Sequence, residues 1–335
     1  MGYKLFKNLC LFGAILALCV VVLGAYVRLS DAGLGCPDWP GCYGTLTVPQ
    51  SEIAIQQAQA LHPNKPIEVA KAWKEMAHRY LAGSLGLVVL AIFVLGWRNK
   101  RQLTVSPALT TALLIIIVLQ AMLGMWTVTM LLKPVIVSAH LLGGLTTLGL
   151  LTWMAHRHWA SHHQIPSTPP HLKLMIRGAI FILLLQVLLG GWTSTNYAAL
   201  ACTDFPTCHG HWLPEMDFQD AFHLVRELGQ SANGGNLTLA SLTAIQWTHR
   251  IGALITFIYM LSLIVQLLKL AAFRKIALLL LCLLTAQIMI GIANLILHLP
   301  LVLAVLHNLG AALLVITTIV LNSKITEHQH DYAKT

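Results

Sequence analysis

Charge is what this 335-residue chain has least of. Asp, Glu, Lys and Arg together make up 10%, with 12 acidic residues against 21 Lys and Arg. A soluble domain carries about 25% charged residues, so there is too little polar surface to coat a water-soluble globule. Hydrophobic residues reach 57% and the mean hydropathy is +0.73, which makes lipid the expected solvent. The formal net charge of +9 does not imply a nucleic-acid partner, because the basic residues are spread over short connections rather than gathered on one face. No His-Glu-x-x-His occurs, so zinc held by two histidines of one helix is not indicated.

What is present is a series of apolar runs long enough to cross a bilayer, which needs about 20 residues. Eight are read, at 9–29, 75–97, 107–130, 134–155, 174–196, 246–268, 276–297 and 301–321. Backbone groups in lipid must be paired internally, so these are expected to be helices. The first run lacks a small-x-small cleavage site and is long enough to span, so it is read as a helix rather than a signal peptide. Lys and Arg set the orientation. With the N-terminus inside, the inner segments hold Lys4, Lys7, Arg98, Lys100, Arg101, Arg157, Lys173, Arg177, Lys269, Arg274, Lys275, Lys324 and Lys334; the outer loops hold Lys65, Lys71, Lys74, Lys133 and Arg226. Both termini are therefore expected in the cytoplasm and two long loops, 30–74 and 197–245, outside. Stretches 50–74 and 214–230 are partly helical by pattern, and Ala221–Leu228 reads as a short amphipathic helix on the interface.

The halves repeat. Cys36-Pro-Asp-Trp-Pro-Gly-Cys42 recurs as Cys202-Thr-Asp-Phe-Pro-Thr-Cys208, and Glu75-x-x-His78-Arg79 as Gln246-x-x-His249-Arg250. Gln120, Gly124 and His140 recur at the same spacing as Gln287, Gly291 and His307. Four helices per repeat is an even number, so both halves enter from one side, related by an axis along the membrane normal. The expected architecture is an all-α membrane protein, with eight transmembrane helices as two pseudo-symmetric four-helix bundles, 1–165 and 166–335.

Ionisable groups inside membranes are costly and usually functional. His78, His140, His249 and His307 occupy matched helical positions near the outer ends of their spans. Two imidazoles at one depth on facing helices suit the axial positions of heme iron. Tetrahedral zinc wants a fuller ligand set, and Cys-x5-Cys is not the Cys-x-x-Cys-His of covalent heme attachment. Gly83, Gly143, Gly144, Gly252 and Gly310 would let a flat macrocycle approach the backbone, or simply let helices pack closely. Arg79 and Arg250 suit heme propionates, with interfacial snorkelling as the alternative.

The halves differ at Glu75, which lies on the helix face of His78 and becomes Gln246, and at Arg28, which becomes Thr195. A carboxylate near a cofactor relays protons or stabilises a cation; an amide does neither. The first half thus retains ionisable chemistry for a reacting molecule and the second holds a resident heme. The paired cysteines lie in loops on the oxidising side and are expected to form Cys36–Cys42 and Cys202–Cys208 disulfides, ordering a loop over each heme mouth or exchanging electrons. Cys10, Cys19 and Cys282 read as helix-packing residues. His209, His211 and His223 read as solvated. His156, His158, His162, His163 and His171 read as part of a connector, with no metal assigned.

Taken together, Gly24-Ala-Tyr-Val-Arg28-Leu-Ser, the Cys36/Cys42 loop, Glu75-x-x-His78-Arg79, Ser138-Ala-His140, Gln246-x-x-His249-Arg250 and Leu306-His307-Asn308 closely resemble the heme A synthase family over most of the chain. The resemblance implies oxidation of the C8 methyl of heme O to a formyl group, giving heme A for cytochrome oxidase. It implies heme b on His249 and His307, substrate heme at His78 and His140, and Glu75 as the essential acid. The implied route is stepwise hydroxylation followed by loss of water from a gem-diol. It leaves open the oxygen source (water or O2), the electron acceptor, homo-oligomerisation and any complex with the heme O-producing enzyme. A diheme b-type electron carrier would use the same histidines but gives no reason for the Glu75/Gln246 difference. A secondary transporter would place its ionisable groups at mid-membrane.

Overall fold

The computed structural model describes residues 2–63, 65–103, 105–159, 168–231 and 234–331, with side chains through 325. Eight of its helices are long and apolar enough to cross a membrane: α1 (Gly2–Leu29), α3 (Val69–Arg98), α4 (Pro107–Thr129), α5 (Pro134–Trp159), α6 (Pro170–Thr195), α8 (Leu239–Leu268), α9 (Arg274–Ile296) and α10 (Leu301–Asp331). Two short helices, α2 (Glu52–Leu61) and α7 (Phe218–Ala221), lie in the long loops. Large apolar side chains such as Leu87, Phe181, Ile258 and Met289 point outward, as a lipid-facing surface requires. The chain is thus a helical, multi-pass membrane protein; among the described residues there are only isolated β-bridges.

The apolar runs fall inside these helices, but several helices are longer. α3 begins at Val69 rather than 75, and α8 at Leu239 rather than 246. Both continue through a polar turn, and α8 is capped where Thr238 accepts from the Ser241 N–H, satisfying an orphan donor. Glu75 and Gln246 therefore lie more than a turn inside their helices. The α4–α5 and α9–α10 turns close alike. Leu131, Leu132, His298 and Leu299 all have positive φ, and Leu132 N–H and Leu299 N–H return to Thr127 O (2.8 Å) and Asn294 O (2.6 Å). This six-to-one bond satisfies late helical carbonyls and sends α5 and α10 back beside their partners.

α1, α3, α4 and α5 pack in that cyclic order, as do α6, α8, α9 and α10. The seam between the two sets runs along α1 and α5 against α6 and α10, and Ala312, Val187 and Ile316 join the apolar core of the first set. On the loop face the seam carries polar ties: Arg28 to Tyr197 and Ser194, and Lys133 to Glu227 at 2.7 Å.

Three expectations need correction. Ala221–Leu228 is not a helix: α7 ends at Ala221, and the following turns let buried Arg226 donate to His223 O, Gln230 O and Asn196 Oδ1. Internal carbonyls outcompete the interface for that guanidinium. Cys19 and Cys282 are exposed on outward helix faces, whereas Cys10 is buried. His156 and His158 belong to the last turns of α5 and His171 to the first turn of α6, so they are helical rather than connector residues. His162, His163, Lys334 and the expected division at 165/166 lie outside the described residues.

Candidate heme-binding site

The four histidines stand on α3, α5, α8 and α10. Within each cyclic set these are the diagonal pairs, α3 with α5 and α8 with α10, and neither pair is in close mutual contact. His78 nonetheless lies within the electrostatic reach of His140, and His249 within that of His307. Each ring packs against a glycine of an adjacent helix. A Cβ at Gly24 (α1) would stand 2.8 Å from His78 Cε1; at Gly124 (α4), 3.4 Å from His140 Cε1. At Gly190 (α6) and Gly291 (α9) it would stand 3.1 Å from His249 and His307 Cε1. The glycines admit the rings between helices, a space any side chain would take.

The nitrogens divide in a consistent way. Nδ1 of His78, His140 and His307 is buried without a hydrogen bond of ordinary geometry, the rings lying against the backbone of Val20, Gln120 and Gln287. His249 Nδ1 is 3.0 Å from Gln186 Nε2. Among the described residues no hydrogen bond engages any of the four Nε2 atoms, yet none of them is a buried, unpartnered atom. Nε2 therefore opens onto free space in each set. Two imidazoles across a diagonal, each with Nε2 open, fit axial ligation of a heme iron.

The two disulfide loops are tied to α3 and α8 by a repeated device. Cys36–Cys42 and Cys202–Cys208 are disulfides. Glu75, 4% exposed, accepts from Cys36 N–H at 3.0 Å through Oε2, and Gln246 accepts from Cys202 N–H through Oε1. Arg79 donates to the carbonyls of Asp38, Pro40 and Gly41, and Arg250 to those of Thr207 (2.8 Å) and Cys202 (2.9 Å). In each loop an aspartate accepts two backbone N–H groups: Asp38 from Tyr43 and Gly44, Asp204 from His209 and Gly210. The Gly210 N–H in particular, with the Thr207 hydroxyl, holds the Asp204 carboxyl well below the usual carboxylate range. The halves differ in one tie: Glu75 also pairs with Arg79, whereas Gln246 turns its amide to Ala199 O (2.6 Å) and Cys202 O (3.3 Å).

The structure brings Glu75, His78 and Arg79 together on α3, with His140 within electrostatic reach of His78. Arg28 lies one turn beyond Gly24 but reaches across the seam, donating to Tyr197 Oη (3.1 Å) and Ser194 O (3.0 Å). The glycines expected beside a macrocycle do other work. Gly83 is exposed with nothing near it, while Gly143, Gly252 and Gly310 accommodate the side chains of Gln120, Gln186 and Gln287, and Gly144 meets Val21 and Gln120. The glycines beneath the rings, Gly24 and Gly190 above all, and Gln186 were missed; alignment of the halves at a constant offset marks them. His209, His211 and His223 are exposed. Cys202, Cys208 and His209 lie within 4.8 Å of one another, but both sulfurs are in the disulfide and are not available as thiolate ligands.

A family model described as cytochrome oxidase assembly protein matches residues 7–319. The chain is similar to the heme A synthase of Shewanella oneidensis, at 44% identity over 92% of this chain and 93% of that one. It is also similar to the heme A synthases of Caulobacter vibrioides (28%, covering 90% of each) and Halalkalibacterium halodurans (25%, covering 73% and 77%).

Proposed function

The chain belongs to the cytochrome oxidase assembly protein family, and from that premise we propose that it oxidises the C8 methyl of heme O to a formyl group, yielding heme A. The relatives' shared name supports the reaction. Its assignment to particular residues rests on one observation: Glu75 and Gln246 accept the same loop N–H. An amide suffices to dock the loop, so the carboxylate of the first half answers a different need.

In this reading residues 1–165 and 166–335 form two four-helix bundles. The first bundle holds substrate heme O between His78 and His140, and the second holds heme b between His249 and His307. The histidines supply neutral Nε2 lone pairs; the rings are oriented by the glycines beneath them. When bound, heme b supplies a one-electron redox centre. Glu75, one turn before His78 and covered by the Cys36–Cys42 loop, is placed to take a proton released from the methyl carbon or to stabilise positive charge developing there. Arg79 gives that carboxylate a charged hydrogen-bond partner. Among the described residues the bonds of Arg79 and Arg250 run through their terminal nitrogens rather than Nε–H, so a propionate can share the guanidinium with the loop carbonyls. Arg28 stands above the first site at the seam. Two successive hydroxylations give an alcohol and then a gem-diol, which loses water. With oxygen drawn from water, each hydroxylation releases two electrons and two protons, so an external electron acceptor is required. The distribution of basic residues supports a bacterial inner-membrane protein with both termini in the cytoplasm and the sites toward the outer face.

Counting hemes tests this. Purified protein is expected to carry one b-type heme plus substoichiometric heme O or A by pyridine hemochrome, and His249→Ala or His307→Ala to lose the b heme. Two equal b hemes would instead indicate an electron carrier, and a normal low-spin spectrum in both variants would remove the ligand assignment.

A further inference from the structure

Three of the four histidine quadrants are built alike and the fourth is not. On α4, α6 and α9 the glycine beneath the ring follows a glutamine by four residues: Gln120, Gln186 and Gln287. On α5, α8 and α10 the histidine is followed three residues later by Gly143, Gly252 and Gly310. The structure shows why these features travel together. A Cβ at Gly143 would stand 1.8 Å from Gln120 Nε2, at Gly252 2.4 Å from Gln186 Oε1, and at Gly310 2.2 Å from Gln287 Oε1. Each amide occupies the notch its glycine leaves. Seated there, Gln186 Nε2 lies 3.0 Å from His249 Nδ1 and donates to His249 O at 3.1 Å, and Gln287 Nε2 donates to His307 O at 3.0 Å. At the fourth quadrant both positions change. α1 carries Val20 before Gly24, and α3 carries Leu81 after His78. His78 is packed closely on Gly24, and among the described residues no side-chain amide bonds its ring, which like those of His140 and His307 lies against neighbouring backbone.

Resting on the heme-ligand reading above, we propose that the Gln186–Gly252 pair is a brace fixing His249, and that the lack of such an amide at its counterpart His78 makes His78 the ligand that releases when substrate heme exchanges for product. A metal-bound histidine usually donates its second ring N–H to an acceptor, and loss of that partner weakens metal affinity about 10–100-fold. With Nε2 on iron, Nδ1 carries the hydrogen. A half-turn of the Gln186 amide presents Oε1, which has no other partner, as its acceptor. A resident heme benefits from a braced ligand. A substrate heme has to be oriented and then let go, which an unbraced His78 allows.

The test is heme transfer from full-length, detergent-solubilised protein reconstituted with hemin to excess apomyoglobin, followed optically. Wild type is expected to show a fast phase from the first site and a slow phase from the second. Gln186→Leu should speed the slow phase about 10-fold or more, while Gln186→Glu, which keeps an oxygen near Nδ1, restores it toward wild type. Val20→Gln with Leu81→Gly should slow the fast phase by a similar factor. Should that pair fail to fold, Gln186→Val with Gly252→Leu gives the second site the pattern of the first and should abolish the distinction between phases. Unchanged rates in the Gln186 variants, when His249→Ala does lose its heme, overturn the brace alone. Retention of that heme in His249→Ala overturns the ligand reading beneath it.

Discussion

The first and second disulfide loops are docked on their helices in the same way, by an acceptor on Cys36 or Cys202 N–H, an arginine on loop carbonyls and an aspartate on two backbone amides. Yet the acceptor is a carboxylate in one and an amide in the other. Burying a charge is expensive unless it is paired, and Gln246 shows that the scaffold does not need it. Arg79 thus both docks the loop and pairs with Glu75, while Arg250 grips its loop with no carboxylate in the place of Glu75. On the proposed function, the comparison separates architecture, which both halves keep, from chemistry, which the first half alone would carry.

The most damaging change should be the one that makes the halves alike. Glu75→Gln is expected to preserve the loop, its disulfide and the resident heme spectrum while lowering heme A formation by about 10²-fold or more, the usual size of an acid–base contribution. Wild-type heme A content in cells expressing this variant would show the carboxylate to be structural after all.

A smaller effect should follow removal of the disulfides. Replacing Cys36 and Cys42, or Cys202 and Cys208, by Ser opens a ring of sequence separation 6, worth about 2–3 kcal/mol of loop entropy. Both variants should melt at lower temperature. Heme A formation should fall in proportion to the folded fraction. Complete loss of product in the first variant, with the protein still folded, would assign Cys36 and Cys42 a redox part.

The least effect belongs to Asp204. Its folded carboxyl loses its charge only below the usual carboxylate range, so its hydrogen bonds to the His209 and Gly210 amides are fully present above the ordinary value of about 4. They fade as pH falls through the lower folded value. Hydrogen exchange should show those amides protected through mildly acidic pH, and Asp204→Ala should remove that protection at neutral pH. Equal protection in the variant would shift the loop's order to the disulfide and Arg250.

The spans were legible because lipid demands long apolar runs, and the four histidines because an imidazole in such a run is rare. The helix starts were less so. Val69 and Leu239 begin in polar sequence, where hydropathy carries no signal; Thr238 caps α8, whereas Glu68 makes no side-chain cap at α3. The site glycines misled for a related reason. Proximity in sequence pointed to Gly83 and Gly143, whereas the rings rest on Gly24 and Gly190, from the neighbouring helix. A glycine beside a histidine in sequence is on the same helix, and a helix does not pack against itself.

Composition and periodicity alone pointed to eight membrane-crossing helices, because solvent quality and backbone pairing act on each segment separately. Which helix faces which, that Arg79 and Arg250 grip the loops, that Arg28 crosses the seam, and that glutamines fill the notches beside three histidines were decided only by packing. Those contacts join residues far apart in the chain, and their geometry exists only once neighbouring helices have found one another.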